Sequence, residues 1–347
     1  MNVKPLSTAL LSYGMSGEIF HAPLLNTHPG FSISAVYQRN ASKQYIPGLN
    51  VVHSLEQILQ DPTIDLVIVN TPNHTHFQFA SEALKAGKHV IVEKPFTVSV
   101  SEADKLIMLA QKQGKLLSVF QNRRWDGDFL TVQRILQDKM LGRVVEFEAH
   151  YDRYRNYIEP NTWKEEEAPG TGILYNLGSH MLDQVIVLFG MPAYVDARIG
   201  TQRTGGKVDD YYDIRLEYSS LNVIVKSSYL VREPVPRYTI HGTKGSFIKY
   251  GIDPQEQDLK EKKVPGSEGW GKEDRRWWGK INTEYGDIRI EGDFETVPGN
   301  YLAFYDNIFE AIRSGVPLMV KPEQARGVIY LIECCIESSK TRKAIKV

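Results

Sequence analysis

The chain has 347 residues, 42% of them hydrophobic, and a formal net charge of -1. That length exceeds one typical core, so two domains are expected. The near-zero charge gives no basis for a nucleic acid or an anionic membrane as partner. No apolar run is long enough to span a bilayer, and Met1-Asn2-Val3-Lys4-Pro5 leads into a strand pattern without a secretory segment. The two cysteines, Cys334 and Cys335, are adjacent in an apolar helical pattern, which argues against a disulfide framework and fits a cytoplasmic protein.

Ser7 to Ser12 reads as a short strand, followed by Tyr13-Gly14-Met15-Ser16-Gly17 and the helical-looking Glu18-Ile19-Phe20. Strand, glycine turn and helix start are the context that a dinucleotide fingerprint requires. Gly14 would let the backbone approach a pyrophosphate, and Gly17 would let helix and strand pack closely. The phosphates would sit on the helix start formed by Met15 and Ser16. Ser12 stands where the fingerprint has its first glycine, so a plain turn fits these residues equally well.

Phe31 to Tyr37 is the second strand. It ends about twenty residues past the turn, where a carboxylate would hold the ribose hydroxyls of NAD. This chain has Gln38-Arg39-Asn40 there instead. Arginine suits a ribose 2′-phosphate, so NADP is expected rather than NAD; a solvated loop arginine is the other reading. Val51-Val52 is a third strand, and Ser54 with Gln57 reads as a capping box opening a helix to about Leu59. Leu66 to Val69 is a buried strand ending at Asn70-Thr71-Pro72-Asn73. Thr75 with Gln78 reads as another capping box, on a helix that stops at Gly87.

Val90-Ile91-Val92 is the next buried strand, closed abruptly by Glu93-Lys94-Pro95. Charges at the carboxyl end of a parallel strand lie where open α/β sheets bind ligands. A partly buried ammonium there can move protons or polarise a hydroxyl or carbonyl; a salt-bridged pair at a strand end fits the triplet as well. A helix from about Ser101 to Gln113 and a strand from Leu116 to Phe120, ending at Gln121-Asn122, complete the alternation of a parallel, doubly wound sheet. Glycine turn, Thr71-Asn73, Glu93-Lys94 and Gln121 thus converge on one crevice. His74 and His76 lack a third ligand of suitable spacing, so no metal is expected.

After a helix from Phe129 to about Lys139 the pattern changes. Arg143 to Arg153 alternates apolar and polar residues, and further strands are expected at Val195–Thr201, Tyr211–Tyr218, Leu221–Val231, Tyr238–Gly242 and Ser246–Tyr250. This predicts an α+β second domain on a large open antiparallel sheet, whose uncovered face points to self-association. Tyr175 to Phe189 reads as an interrupting helix in which Asn176 and His180 share a face. A histidine beside a neutral amide suits general acid/base work on a hydroxyl, and a hydrogen-bonded core histidine is the alternative. Trp270 to Trp278 fits a substrate lid or a packed surface loop. Tyr301–Ser314 and Pro322–Thr341 read as amphipathic helices.

Glu93-Lys94-Pro95 after a Rossmann-like half, with His180 on a later helix before a sheet domain, resembles the glucose–fructose oxidoreductase/inositol dehydrogenase (Gfo/Idh/MocA) family. The likeness covers nearly the whole chain. Asn122-Arg123-Arg124-Trp125-Asp126, Leu177-Gly178-Ser179-His180 and Ser246 to Asp253 look most like its branch acting on scyllo-inositol with NADP. The resemblance implies a Rossmann domain at 1–122 and a substrate-binding, oligomerising α+β domain at 123–347, with the helix at about 322–341 packing back on the first. It implies a homodimer or homotetramer and a polyol or sugar as substrate. It makes Lys94 the catalytic lysine and His180 the residue exchanging the hydroxyl proton while hydride passes to or from the nicotinamide. Gly14 to Gly17, Gln38, Arg39, Thr71, Pro72, Asn73, His76, Glu93, Lys94, Gln121 and Trp163 match cofactor-contacting segments, and Arg153 and Tyr154 are substrate candidates beside Lys94, Asn176 and His180. Asn176 departs from the family's Asp-x-x-x-His and lacks the charge that would favour a protonated His180. Two rivals stand beside this reading: a dinucleotide-bound regulatory protein without turnover, and an enzyme for another sugar.

Overall fold

A computed structural model of the chain describes residues 4–39 and 47–347; Asn40 and residues 1–3 lie outside them. Six strands form a parallel sheet: β1 (Leu6–Leu10), β2 (Phe31–Tyr37), β3 (Val51–Val52), β4 (Leu66–Val69), β5 (His89–Val92) and β6 (Leu117–Val119), in the order β3-β2-β1-β4-β5-β6. Every residue of β4 and three of the four in β5 are buried, as expected of strands covered on both faces, where a continuous β-branched run replaces alternation. Strand order reverses between β1 and β4, and the carboxyl ends at such a switch point are where open α/β sheets hold ligands.

The helices between these strands are α1 (Ala22–Thr27), α2 (Glu56–Leu59), α3 (His76–Lys85) and α4 (Val100–Gln113). On α4, the Ser99 hydroxyl accepts the Glu102 N–H and Gly114, at φ 59°, ends the helix. The two expected capping boxes fare differently. Ser54 N–H donates to Gln57 Oε1 at 3.2 Å, but the Ser54 hydroxyl turns to Glu56, so half the box forms. Thr75 with Gln78 forms none. Thr75 sits in a tight turn ahead of α3 and its hydroxyl donates to Pro72 O at 2.6 Å, while Gln78 donates to Glu82 along the helix.

The second sheet has nine strands: β7 (Val144–His150), β8 (Tyr194–Gly200), β9 (Tyr211–Glu217), β10 (Asn222–Ser228), β11 (Tyr238–Gly242), β12 (Gly245–Lys249), β13 (Gly279–Tyr285), β14 (Ile288–Phe294) and β15 (Ile345–Lys346). Their order is β14-β13-β12-β11-β7-β10-β9-β8-β15, antiparallel throughout except for the parallel pair β7–β10. The hairpin β13–β14 is not among the expected strands, although Ile288-Arg289-Ile290-Glu291 alternates; β14 is exposed almost end to end, so the alternation does not mark a buried face. The remaining helices are α5 (Gly127–Gln137), α6 (Ser179–Phe189), α7 (Gln255–Lys260), α8 (Leu302–Ser314) and α9 (Pro322–Thr341).

Two compact units interleave along the chain. One comprises Met1–Trp125, Gln255–Trp270 and Asn300–Arg326; the other comprises Asp126–Pro254, Gly271–Gly299 and Gly327–Val347. A single division near residue 122 does not describe them. Gln255 ties the returning segments of the first unit, donating to Trp125 O at 3.0 Å and accepting the Trp270 indole N–H at 3.0 Å and the Tyr301 N–H at 2.7 Å. Trp270 is therefore a buried anchor rather than part of a lid. Only the first turn of α9 belongs to the first unit. Farther along, Ser338 and Ser339 accept the Ala197 and Ile199 N–H groups of β8, both at 3.0 Å, within the second unit. Among the described residues, no helix is long and apolar enough to cross a membrane.

Candidate functional site

The glycine turn after β1 is built by local chemistry. Ser12, at the place of the missing first glycine, folds its hydroxyl back to accept the Gly14 N–H at 3.3 Å. A Cβ on Gly14 would meet nothing closer than that hydroxyl, at 3.6 Å, whereas a Cβ on Gly17 would lie 2.3 Å from Ser12 O. Glycine at 17 therefore permits close packing of helix on strand, whereas a side chain at 14 would meet only an ordinary contact. Met15 is exposed. Ser16 to His21 then closes as a wide, π-type turn running into α1.

Glu93 braces this turn. Ser16 Oγ and His21 Nε2 (3.0 Å) approach Glu93 Oε1, and the Lys94 N–H donates to Oε2 at 3.0 Å. Burial raises the carboxyl pKa, but the hydrogen bonds from His21 and Ser16 and the charges of His21 and Lys94 outweigh it and hold the group at about 2. His21 Nδ1 in turn lies 2.6 Å from the hydroxyl of Tyr305 on α8. Both oxygens of Glu93 are thus engaged inside the first unit. His76 is also a brace. It is fully buried, with its ring nitrogens 2.9 Å from Pro95 O and 2.9 Å from Thr71 O. A neutral ring donates to one of these, and burial, which lowers its pKa, favours that form. It links the loop after β4 to the Lys94-Pro95 turn, whose peptide bond is cis.

Three buried polar atoms at strand ends have no hydrogen-bond partner among the described residues: Gln38 Nε2 after β2, Asn70 Oδ1 after β4 and Gln121 Oε1 after β6. Buried polar groups are rarely left unpaired, and those that are call for an explanation. Here each stands at the carboxyl end of a strand in the parallel sheet, and β5 with Lys94 lies between β4 and β6. A donor and two acceptors in this place fit a polar ligand laid along the strand ends, as a dinucleotide is. Arg39 beside Gln38 is exposed. Thr71 donates to Thr75 Oγ1 at 2.6 Å, which shapes the loop carrying Pro72 and Asn73. In the sequence Asn70 marks only a strand terminus. Its Nδ2 donates to Ser12 O at 2.8 Å, a cross-strand contact that no local pattern announces.

Asn176 and His180 belong to the second unit, as do Trp163, Arg153 and Tyr154. Leu174 to Gly178 is again a wide, π-type turn, and it passes into α6 at Ser179. Among the described residues two segments take this form, and both contain residues that the sequence marks for chemistry. Such turns are frequent at functional sites. His180 is buried and Asn176 half-buried. The Arg153 guanidinium lies over the Tyr151 ring, and Tyr154, 44% exposed, lies under Arg232. Trp163 opens a short turn and is also exposed, at 36%.

The glycine turn, the switch point and the unpaired amide groups at strand ends define a dinucleotide-binding Rossmann unit, carried in one chain with a mostly antiparallel α/β unit. The chain belongs to the Gfo/Idh/MocA oxidoreductase family: residues 6–121 match its NAD-binding Rossmann fold and residues 133–347 its C-terminal alpha/beta domain. It is 40% identical over 345 residues to scyllo-inositol 2-dehydrogenase (NADP(+)) IolW of Bacillus subtilis, covering 99% of this chain and 96% of that protein. It is 41% identical over 342 residues to the uncharacterized oxidoreductase YdgJ of Escherichia coli, covering 98% of each. The solved structure of yvaA from Bacillus subtilis superposes with a TM-score of 0.95 at 38% identity, covering 100% of this chain and 99% of that one. The protein is an oxidoreductase using a nicotinamide dinucleotide and a small-molecule substrate.

Proposed function

We propose that the protein is an NADP-dependent dehydrogenase that reversibly oxidises a secondary hydroxyl of a cyclic polyol or sugar, with scyllo-inositol the first candidate. The observation that carries this reading is the pair of polar atoms, Asn70 Oδ1 and Gln121 Oε1, unpaired among the described residues at the ends of the two strands that flank the one leading to Lys94. The likeness to a relative named for that reaction supports the substrate class. Arg39 in place of a carboxylate after β2 supports NADP over NAD.

In this reading the dinucleotide supplies a hydride acceptor or donor at its nicotinamide ring. Backbone N–H groups of Gly14 to Gly17 hold the pyrophosphate, Gln38 and Arg39 hold the ribose and its phosphate, and Thr71 to Asn73 and Gln121 orient the remainder. Glu93 and His76 keep those loops in place. The Lys94 ammonium polarises the reacting hydroxyl, His180 takes its proton as the C–H hydride leaves, and Asn176 hydrogen-bonds a neighbouring hydroxyl. Trp163, Arg153 and Tyr154 are the second unit's further candidates for ligand contact. The first unit serves the nucleotide and the second the substrate, and the second sheet's uncovered face supports a homodimer or homotetramer. A cytoplasmic setting agrees with the two free, buried cysteines.

The test is turnover of inositols, their ketones and aldoses with NADP(H) and NAD(H), followed by nicotinamide absorbance. Turnover of scyllo-inositol or its ketone, with preference for NADP(H), is expected. Tight dinucleotide binding without turnover of any of these substrates would overturn the reading in favour of a regulatory protein.

A further inference from the structure

Asp209, just before β9, takes no part in the reaction as read above, yet it holds the segment that carries Asn176 and His180. Its Oδ2 accepts the Leu174 N–H at 2.8 Å, and its main-chain oxygen accepts the Ile173 N–H at 2.9 Å. Leu174 is the first residue of the wide turn that contains Asn176 and leads into α6. Gly172 lies against the same carboxylate at φ +93°, and a Cβ there would stand 2.0 Å from Asp209 Oδ1. Gly172 O accepts the Asn176 N–H at 3.1 Å, so the contact passes directly to the residue read as binding substrate.

Asp210, its neighbour, has a different setting. Its Oδ2 accepts from Arg203 Nε at 2.9 Å, and Arg203 also pairs with Glu165. Among the described residues no lysine or arginine pairs with Asp209. The groups facing it are the Leu174 N–H, its own N–H and the Ile173 N–H, the charge of Asp210 and the phenol of Tyr212.

We infer that Asp209 is a positioning residue for the proposed reaction: its ionised carboxylate holds the wide turn in the geometry that presents Asn176 and His180, and protonation loosens that hold. Burial, with the charge of Asp210 adding to it, pushes the Asp209 carboxyl up to about 6 against the hydrogen bonds it receives. Its charge is therefore costly to the fold at neutral pH, although an asparagine has the same shape and can accept the same N–H. A group kept ionised against its surroundings at a site is the pattern of a functional residue. The inference rests on the reading of Asn176 and His180 given above.

Asp209→Asn separates shape from charge. In the full-length enzyme with a polyol and NADP+, kcat should fall at least about tenfold, as expected of a misplaced catalytic group, with KM changing much less. The ratio of wild-type to variant kcat should shrink as pH falls through about 6, where wild-type Asp209 takes up its proton. In protein labelled with 15N, the main-chain amide signals of Leu174 and Asn176 should show a step near pH 6 that Asp209→Asn removes. A variant with wild-type kcat and pH profile, in which the Leu174 and Asn176 amide signals keep their step, would overturn the inference. If wild-type protein turns over no polyol, the functional reading fails, and the amide titration of Leu174 and Asn176 alone decides the role of Asp209.

Discussion

Glu93 and Asp209 invite comparison. Each unit has a wide helical turn next to residues marked for chemistry, and in each a carboxylate from elsewhere in that unit holds the turn. Glu93 meets a hydroxyl, an imidazole and a backbone N–H, and is held at about 2; Asp209 meets backbone N–H groups and another carboxylate, and rises to about 6. Burial works against the charge in both. What differs is the company: a partner able to carry opposite charge secures ionisation, and backbone donors without one do not. The first turn is thereby held by a carboxylate that stays ionised near neutral pH, and the second by one that takes up a proton near 6.

The largest effect expected comes from removing the residue that Glu93 supports at the strand end. Lys94→Ala should lower kcat by about 10²–10⁴-fold, the range for a proton-handling group, with dinucleotide affinity nearly intact. Retention of most activity would remove Lys94 from the reaction. Glu93→Gln sharpens the comparison through stability. Its folded pKa of about 2 lies below the ordinary 4.5, so its stabilisation is present above pH 4.5 and is lost as pH falls toward 2. That stabilisation is on the order of 3 kcal/mol. Denaturant unfolding should show the variant weaker near neutral pH and approaching wild type in acid; a deficit independent of pH would mean that the charge is not responsible.

Arg39→Ala should raise KM for NADP+ by about tenfold, one charge-assisted phosphate contact, while leaving NAD+ nearly unchanged. Equal effects on both cofactors would break the 2′-phosphate assignment. The smallest effect has the opposite sign to that of Glu93→Gln. The folded pKa of Asp209 lies above the ordinary 3.8, so its ionisation begins to cost stability as pH rises past 3.8 and costs fully above about 6. Asp209→Asn should therefore melt a few degrees above wild type near neutral pH and together with it at about pH 4. A lower melting point at neutral pH would mean that the carboxylate stabilises the fold.

The sequence by itself determined the parallel sheet, because strands buried on both faces write their burial as unbroken β-branched runs such as Val90-Ile91-Val92, and glycine turns and strand-end charges are local. It also pointed to Lys94, Asn176 and His180, whose chemistry is visible in residue type and spacing. Tertiary structure decided what depends on partners far along the chain. Tyr305 completes the network at Glu93 through His21, 284 residues away, and Gln255 joins segments that the sequence assigns to another domain. It turned the Thr75–Gln78 box into a loop contact, made Trp270 an anchor and exposed β14, whose polar and apolar residues face solvent alike. The charge states of Glu93 and Asp209 are of the same kind. A carboxylate's pKa is set by which donors and charges fold around it, and no single stretch of sequence holds that information.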